Sequence, residues 1–208
     1  GETYAFYPFW LANGKPQPMD FGLFRRIGYL GAVPDDAGGY VTPPDWSSSQ
    51  TGFTRTAQRH GTEVDLVLYR RDWSTLLRQP ASQQQLIAQQ AATNAVALAD
   101  TKPEGAGSRL NGLLLPFWHE PSRLYSGLTV FFDDTSTSPA DREAFRNLYR
   151  AFMRQLIAEM QQRSGRTYAL NLVVPEQRLG ENGTFGFGDL IEYLELAEPA
   201  SPDAASTA

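Results

Sequence analysis

Short apolar runs with β-rich composition alternate along the chain with stretches of helical period. The first run is TYAFYPFW, Thr3 to Trp10, and the second is RIGYLGAV, Arg26 to Val33. The third, EVDLVLYRRDW from Glu63 to Trp73, follows an Arg- and Gln-bearing segment that ends at Gly61. The fourth is GLTVFFDD, Gly127 to Asp134, and the fifth is YALNLVVP, Tyr168 to Pro175. Strand and helix in this alternation predict an α/β protein with a parallel sheet.

Between the third and fourth runs, Leu86, Ile87, Ala91, Val96 and Leu98 give a modest apolar face to a helix over Ala81 to Asp100. Between the fourth and fifth the helical signal is stronger. Ser138 is placed to cap, Pro139 suits the first helical position, and Asp141 falls in the acidic first turn. Phe145, Leu148, Tyr149, Phe152, Met153, Leu156, Ile157 and Met160 then recur at helical spacing, and Gly165 stops the pattern. FGDLIEYLELA, Phe187 to Ala197, reads as a short final helix. Thr101 to Ser126 is long for a connection and carries the apolar cluster LLLPFW, so an ordered insertion is expected there. The chain thus reads as one domain over 1–198, with residues 199–208 as a flexible tail or linker.

Composition narrows the function classes. With 208 residues, 41% hydrophobic and 12% aromatic, the chain can bury a sizeable core. A net charge of -5, with positive residues that are nearly all Arg and scattered, argues against nucleic acid as a partner. Cysteine is absent, so there is no disulfide framework, thiolate metal site or cysteine nucleophile. No apolar run approaches the roughly 18 residues of a membrane helix, and no signal pattern opens the chain. The first residue, Gly1, fits a processed or trimmed chain.

The order of these runs carries a resemblance. RRDW at Arg70 to Trp73, SGLTVFFD at Ser126 to Asp133 and YALNLVVP at Tyr168 to Pro175 resemble the family 18 glycoside hydrolases, the chitinase-like (β/α)8 barrels, over about Thr3 to Pro175. In that family the third strand ends in a Gly-Gly-Trp-like turn, the fourth carries D-G-x-D-x-D-x-E, and the fifth reads much like LTIAVP. Set through Gly127, the fourth-strand motif puts Ser126, Thr129 and Phe131 at the family's three Asp positions and Asp133 at the catalytic Glu. The resemblance implies a TIM-barrel-like fold, a carbohydrate ligand, no cofactor, and a secreted or cell-envelope location.

The lost carboxylates bear on the chemistry that the resemblance implies. Family 18 enzymes use the substrate's own acetamido group as nucleophile while a carboxylic acid protonates the leaving oxygen. The Asp two residues before that acid orients the acetamido group and couples to the acid's protonation. Phe131 does neither. Asp133 is also shorter than Glu by roughly 1.5 Å, one carbon–carbon bond, and a general acid must lie within hydrogen-bond reach of its target. A catalytically degenerate domain is the expectation. Asp134, one residue on, is off the motif's face if the strand continues, and otherwise reads as a turn residue.

Functional groups of a (β/α)8 barrel gather at the C-terminal ends of its strands. That rule nominates Trp10, Asp35 or Asp36, Asp72, Trp73, Asp133 and Glu176, with Trp46, Trp118, His119 and Glu120 brought in on loops. The candidate carboxylates are Asp133, Asp134, Asp72 and Glu176, and the candidate sugar-stacking rings are Trp10, Tyr29, Trp46, Trp73 and Trp118. Each ring also has a plain alternative as core or loop packing. His119 and Glu120 lack a second His at helical spacing, and the chain has 2 His in all, so no metal site is expected. No dinucleotide fingerprint, phosphate loop or serine elbow is present.

A complete barrel takes about 250 residues. Only about five strands are countable, so a partial or irregular barrel is expected, with its gap covered by the LLLPFW insertion and final helix, by a second copy, or by strands beyond Ala208 of a longer protein. Three readings stay open: a degenerate domain binding carbohydrate or a protein partner, an active glycosidase of altered specificity with Asp133 as acid, and a structural module that assembles, for example as a homo-oligomer.

Overall fold

The computed structural model describes residues 3–11, 19–43, 46–102, 123–163, 167–180 and 183–197, with backbone alone for 46–51. The strands are β1 (Tyr4–Pro8), β2 (Arg26–Pro34), β3 (Tyr40–Val41), β4 (Glu63–Arg70), β5 (Gly127–Phe132) and β6 (Ala169–Leu172). The helices are α1 (Trp46–Arg59), α2 (Ser74–Leu77), α3 (Ala81–Ala99), α4 (Arg142–Gln162) and α5 (Phe187–Ala197). The sheet runs β1-β2-β4-β5-β6 with every neighbour parallel, and β3 folds back antiparallel on the end of β2.

All five expected strands are present, and two of them end where side chains begin to compete for the backbone. β4 stops at Arg70 rather than Trp73, because the Asp72 carboxylate captures the Ser74 N–H at 3.0 Å. β5 stops at Phe132, because Asp133 captures the Thr135 N–H at 2.9 Å. The α1 helix was not legible as such. Of its described side chains only Phe53, Thr54 and Ala57 are buried, too few to set a 3.6-residue period in a Ser-, Thr- and Gln-rich run.

One face of the sheet is the core. Ile27, Tyr29, Val64, Leu66, Leu68, Leu128, Val130 and Phe132 alternate along their strands and are buried beneath the helices. The α3 helix contributes mostly alanines, Ala88, Ala91, Ala92, Ala95 and Ala99, which let it lie close to the sheet and to α4. From α4 come the eight apolar residues that its sequence period predicts, Phe145 through Met160. Of the predicted insertion, Leu124 and Tyr125 are buried just before β5, while residues 103–122 lie outside the described residues, as does the tail at 199–208. No helix among the described residues is long and apolar enough to cross a membrane.

The other face is concave. Tyr4 of β1 and Thr129 of β5 hydrogen bond at 2.6 Å although two strands lie between them, so the sheet curls as a barrel wall does. Two glycines make room for such crossings. A Cβ at Gly28 would stand 2.6 Å from the Tyr4 hydroxyl oxygen and 2.8 Å from Val67 Cγ2. At Gly127 it would collide with the Ala169 carbonyl oxygen and stand 2.7 Å from Asp65 Oδ1.

Candidate functional site at the strand ends

Side chains on the concave face form layers. Nearest the N-terminal ends of the strands, Arg26 Nη1 donates to Asp65 Oδ1 at 2.6 Å and Asn171 Nδ2 to Asp65 Oδ2 at 2.8 Å. Arg26 also pairs with Glu63. The Asp65 side chain is fully buried, and burial pushes its carboxyl up to about 6 against the opposing pull of the Arg26 guanidinium. Burial likewise raises the Tyr4 phenol.

Above this layer lies an aromatic one. Phe6 and Phe131 approach at 6.4 Å between centroids, Tyr69 and Phe131 at 5.1 Å, and Tyr4 and Phe6 at 5.3 Å. Phe6 is 46% exposed, so the layer is open to solvent. These rings come from β1, β4 and β5 and all sit on the face that Asp133 continues. Period-two alternation was the signal for them: Tyr69 and Phe131 are paired in register, as are Phe6 and Gly28 below them.

Asp133 follows β5 directly. Its N–H donates to the Arg70 carbonyl at 2.9 Å, and its carbonyl accepts from Trp73 Nε1 at 3.0 Å. Oδ1 accepts from both the N–H and the hydroxyl of Thr135, at 2.9 and 2.6 Å. Oδ2 of this half-buried carboxylate has no hydrogen-bond partner among the described residues.

The next residue points the other way. Asp134 is fully buried, accepts from the Thr184 hydroxyl, and has Arg178 Nε at 3.6 Å. Arg178 Nη2 also donates to the Asp134 and Thr135 carbonyls at 3.3 and 3.1 Å, fixing the turn after β5 to the turn after β6. Asp134 is therefore part of a clamp behind Asp133, on the core side.

The other predicted residues are dispersed. Asp72 is exposed, and hydrogen bonds from the Ser74 N–H and hydroxyl hold its carboxyl below the usual range. Trp73 is buried between Phe132, at 4.9 Å, and Phe145, at 5.1 Å, with the Arg70 guanidinium 4.8 Å over its ring. Tyr29 is buried on the core face, 5.0 Å from Phe53. Trp10 is 55% exposed in the helical turn Phe9–Leu11, and Glu176 is exposed in the turn Glu176–Arg178. Asp35 closes its own turn through the Ala37 and Gly39 N–H groups, and Asp36 pairs with Arg70. The Trp46 side chain and Trp118, His119 and Glu120 lie outside the described residues. Among the described residues no three of His, Asp and Glu gather as metal ligands would.

No family model and no curated protein matches the chain. Solved structures do match. A GH18 chitinase from Cycas revoluta, solved with (GlcNAc)3, shares 17% identity at a TM-score of 0.56, over 84% of this chain and 46% of its own. A class V chitinase from Nicotiana tobaccum, solved with NAG4, shares 16% at 0.58, over 91% of this chain and 49% of its own. A chitinase from Bacteroides thetaiotaomicron shares 10% at 0.58, over 92% and 51%. The chain spans about half the length of these chitinases. Over the described residues the chain has the chitinase-like α/β barrel fold, built open, with β1 at one edge of a curved parallel sheet and β6 at the other.

Proposed function

We propose that the concave mouth of the sheet binds an oligosaccharide and that the chain is not a competent chitinase. The observation that carries this reading is the position of Phe131. It lies two residues before Asp133 on the concave face and packs with Tyr69 and Phe6, where a substrate-assisted mechanism needs a carboxylate. An aromatic floor suits the apolar face of a pyranose, and the free oxygen of Asp133 suits a sugar hydroxyl. Trp10 extends the apolar rim at the end of β1. The test is incubation with chitooligosaccharides: binding without turnover is expected, and cleavage at ordinary enzyme rates that Asp133→Ala abolishes would sink the proposal.

A second reading, assembly with a protein partner or another copy, is favoured by a separate observation. Phe187, Ile191 and Leu194 form an exposed apolar stripe on α5, the helix that follows β6, and β6 ends the sheet among the described residues. Solution mass by light scattering separates the two, since a clean monomer counts against assembly through this surface.

A further inference from the structure

Arg70 ends β4 with a charge on the core face, where Leu66 and Leu68 precede it. Its side chain is 9% exposed. A guanidinium so placed is costly unless it is paired and its donors are met. Nη2 pairs with Asp36, and Nη1 donates to the Pro34 carbonyl at 3.1 Å, both at the end of β2. Nε donates to the Asp72 carbonyl at 2.7 Å, in the turn after β4. The guanidinium also lies over the Trp73 ring, 4.8 Å from its centroid.

The indole carries the connection onward. Trp73 Nε1 donates to the Asp133 carbonyl at 3.0 Å, and the Asp133 N–H donates to the Arg70 carbonyl at 2.9 Å. Both backbone polar groups of Asp133 are therefore held by residues 70 and 73. The far end of the row is anchored as well. Asp35 closes the turn after β2 through the Ala37 and Gly39 N–H groups, and Asn94 Nδ2 of α3 donates to the Gly38 carbonyl at 2.8 Å. Asp36, Arg70, Trp73 and Asp133 thus form an unbroken row of contacts from the end of β2 to the end of β5.

We infer that Arg70 is a positioning residue: its guanidinium sets the Trp73 indole, and the indole sets Asp133 at the mouth. The inference rests on the proposed reading of the mouth as an oligosaccharide site. A group that meets a ligand has to be held within about 0.5 Å of its productive place, and Asp133 stands on a turn just past β5. Lysine is no substitute, since an ammonium lacks the planar fork that reaches Pro34, Asp36 and Asp72 together.

The test compares Arg70→Met, Arg70→Lys and Asp36→Asn in the whole 208-residue chain. Calorimetric titration with the six-unit oligosaccharide of N-acetylglucosamine reads affinity. The NMR signal of the Trp73 indole N–H, assigned by its loss in Trp73→Phe, reads the hydrogen bond to Asp133. Both are measured well below each variant's Tm, where a loss of stability alone moves neither. The two Arg70 variants are expected to weaken binding about tenfold, the low end for a lost charge-assisted hydrogen bond, and to move the indole signal upfield with faster exchange. Asp36→Asn, at a side chain 41% exposed, should do the same to a smaller extent. A parental indole signal or a parental affinity in both Arg70 variants overturns the inference. If neither Arg70 variant folds, Asp36→Asn decides, and parental values there overturn it. If the parent chain binds no oligosaccharide, the reading of the mouth falls, and the indole signal alone decides whether Arg70 positions the turn that carries Asp133.

Discussion

The Tyr4 hydroxyl and the Thr129 hydroxyl meet at 2.6 Å across the concave face, over the top of Gly28. That bond joins the edge strand β1 to β5 without passing through the strands between them. Tyr4→Phe should cost about 0.5–1.5 kcal/mol in urea unfolding, the net value of one hydrogen bond. Gly28→Ala should cost about 1–3 kcal/mol, because its methyl collides with Tyr4 and with Val67. The double variant should cost less than the sum, since removing the hydroxyl relieves one of the two collisions. Strict additivity would mean that the two residues do not share this space.

Asp65 gives stability a specific pH dependence. Its carboxyl is raised to about 6 in the folded state, so between roughly pH 4 and 6 the folded chain holds a proton that the unfolded chain has released. This contribution is fully present below about pH 4 and is lost as the pH rises through about 6. The difference in unfolding free energy between the parent and Asp65→Asn should therefore shift against the parent from pH 4 to 6 and be flat on either side. A difference constant across that window would show that Arg26 holds Asp65 ionised throughout.

The two neighbouring aspartates should part company on mutation. Asp134→Ala removes the buried partner of Arg178 and Thr184 and should cost about 3–5 kcal/mol. Asp133→Ala frees Thr135 at a half-buried turn and should cost about 1 kcal/mol. Only Asp133→Ala should abolish oligosaccharide binding while keeping a near-parental melting temperature. Equal destabilisation by both variants would remove the distinction.

Phe6→Ala and Phe131→Ala test the aromatic floor. Each should weaken oligosaccharide binding about 3- to 10-fold, in line with about 0.5–1.5 kcal/mol for a ring contact. Phe131→Asp should not confer chitinase activity, because Thr129 and Ser126 still stand at the other two motif positions. Turnover by that single variant would show that the remaining frame is catalytically complete.

The face of β5 on which Asp133 falls was legible from alternation alone, because a period of two assigns sides without reference to any neighbour. Trp73 was not. It belongs to an apolar run that reads as strand, but Asp72 diverts the backbone at that point and swings the indole under Phe132 and Phe145. The burial of Tyr29 was misread for a related reason: it is strand-central on the core face, and nothing local separates such a tyrosine from one at a rim. Tyr4 with Thr129 and Asp65 with Asn171 were beyond reach, since both pairs depend on the curvature of the sheet and on strands far apart in sequence.

That curvature gives the weakest strand an electrical role. β6 has four residues, all half-exposed, and one neighbour among the described residues, so it is the part of the sheet that opens first. Its Asn171 supplies one of the donors that hold the Asp65 carboxylate, which otherwise sits sealed from water. When β6 lifts, Asp65 loses that donor and gains solvent, and water becomes the better host for its charge. Fraying at this edge is therefore coupled to proton release at the centre of the barrel wall, and hydrogen exchange of the β6 amides should quicken with pH beyond the ordinary chemical rate.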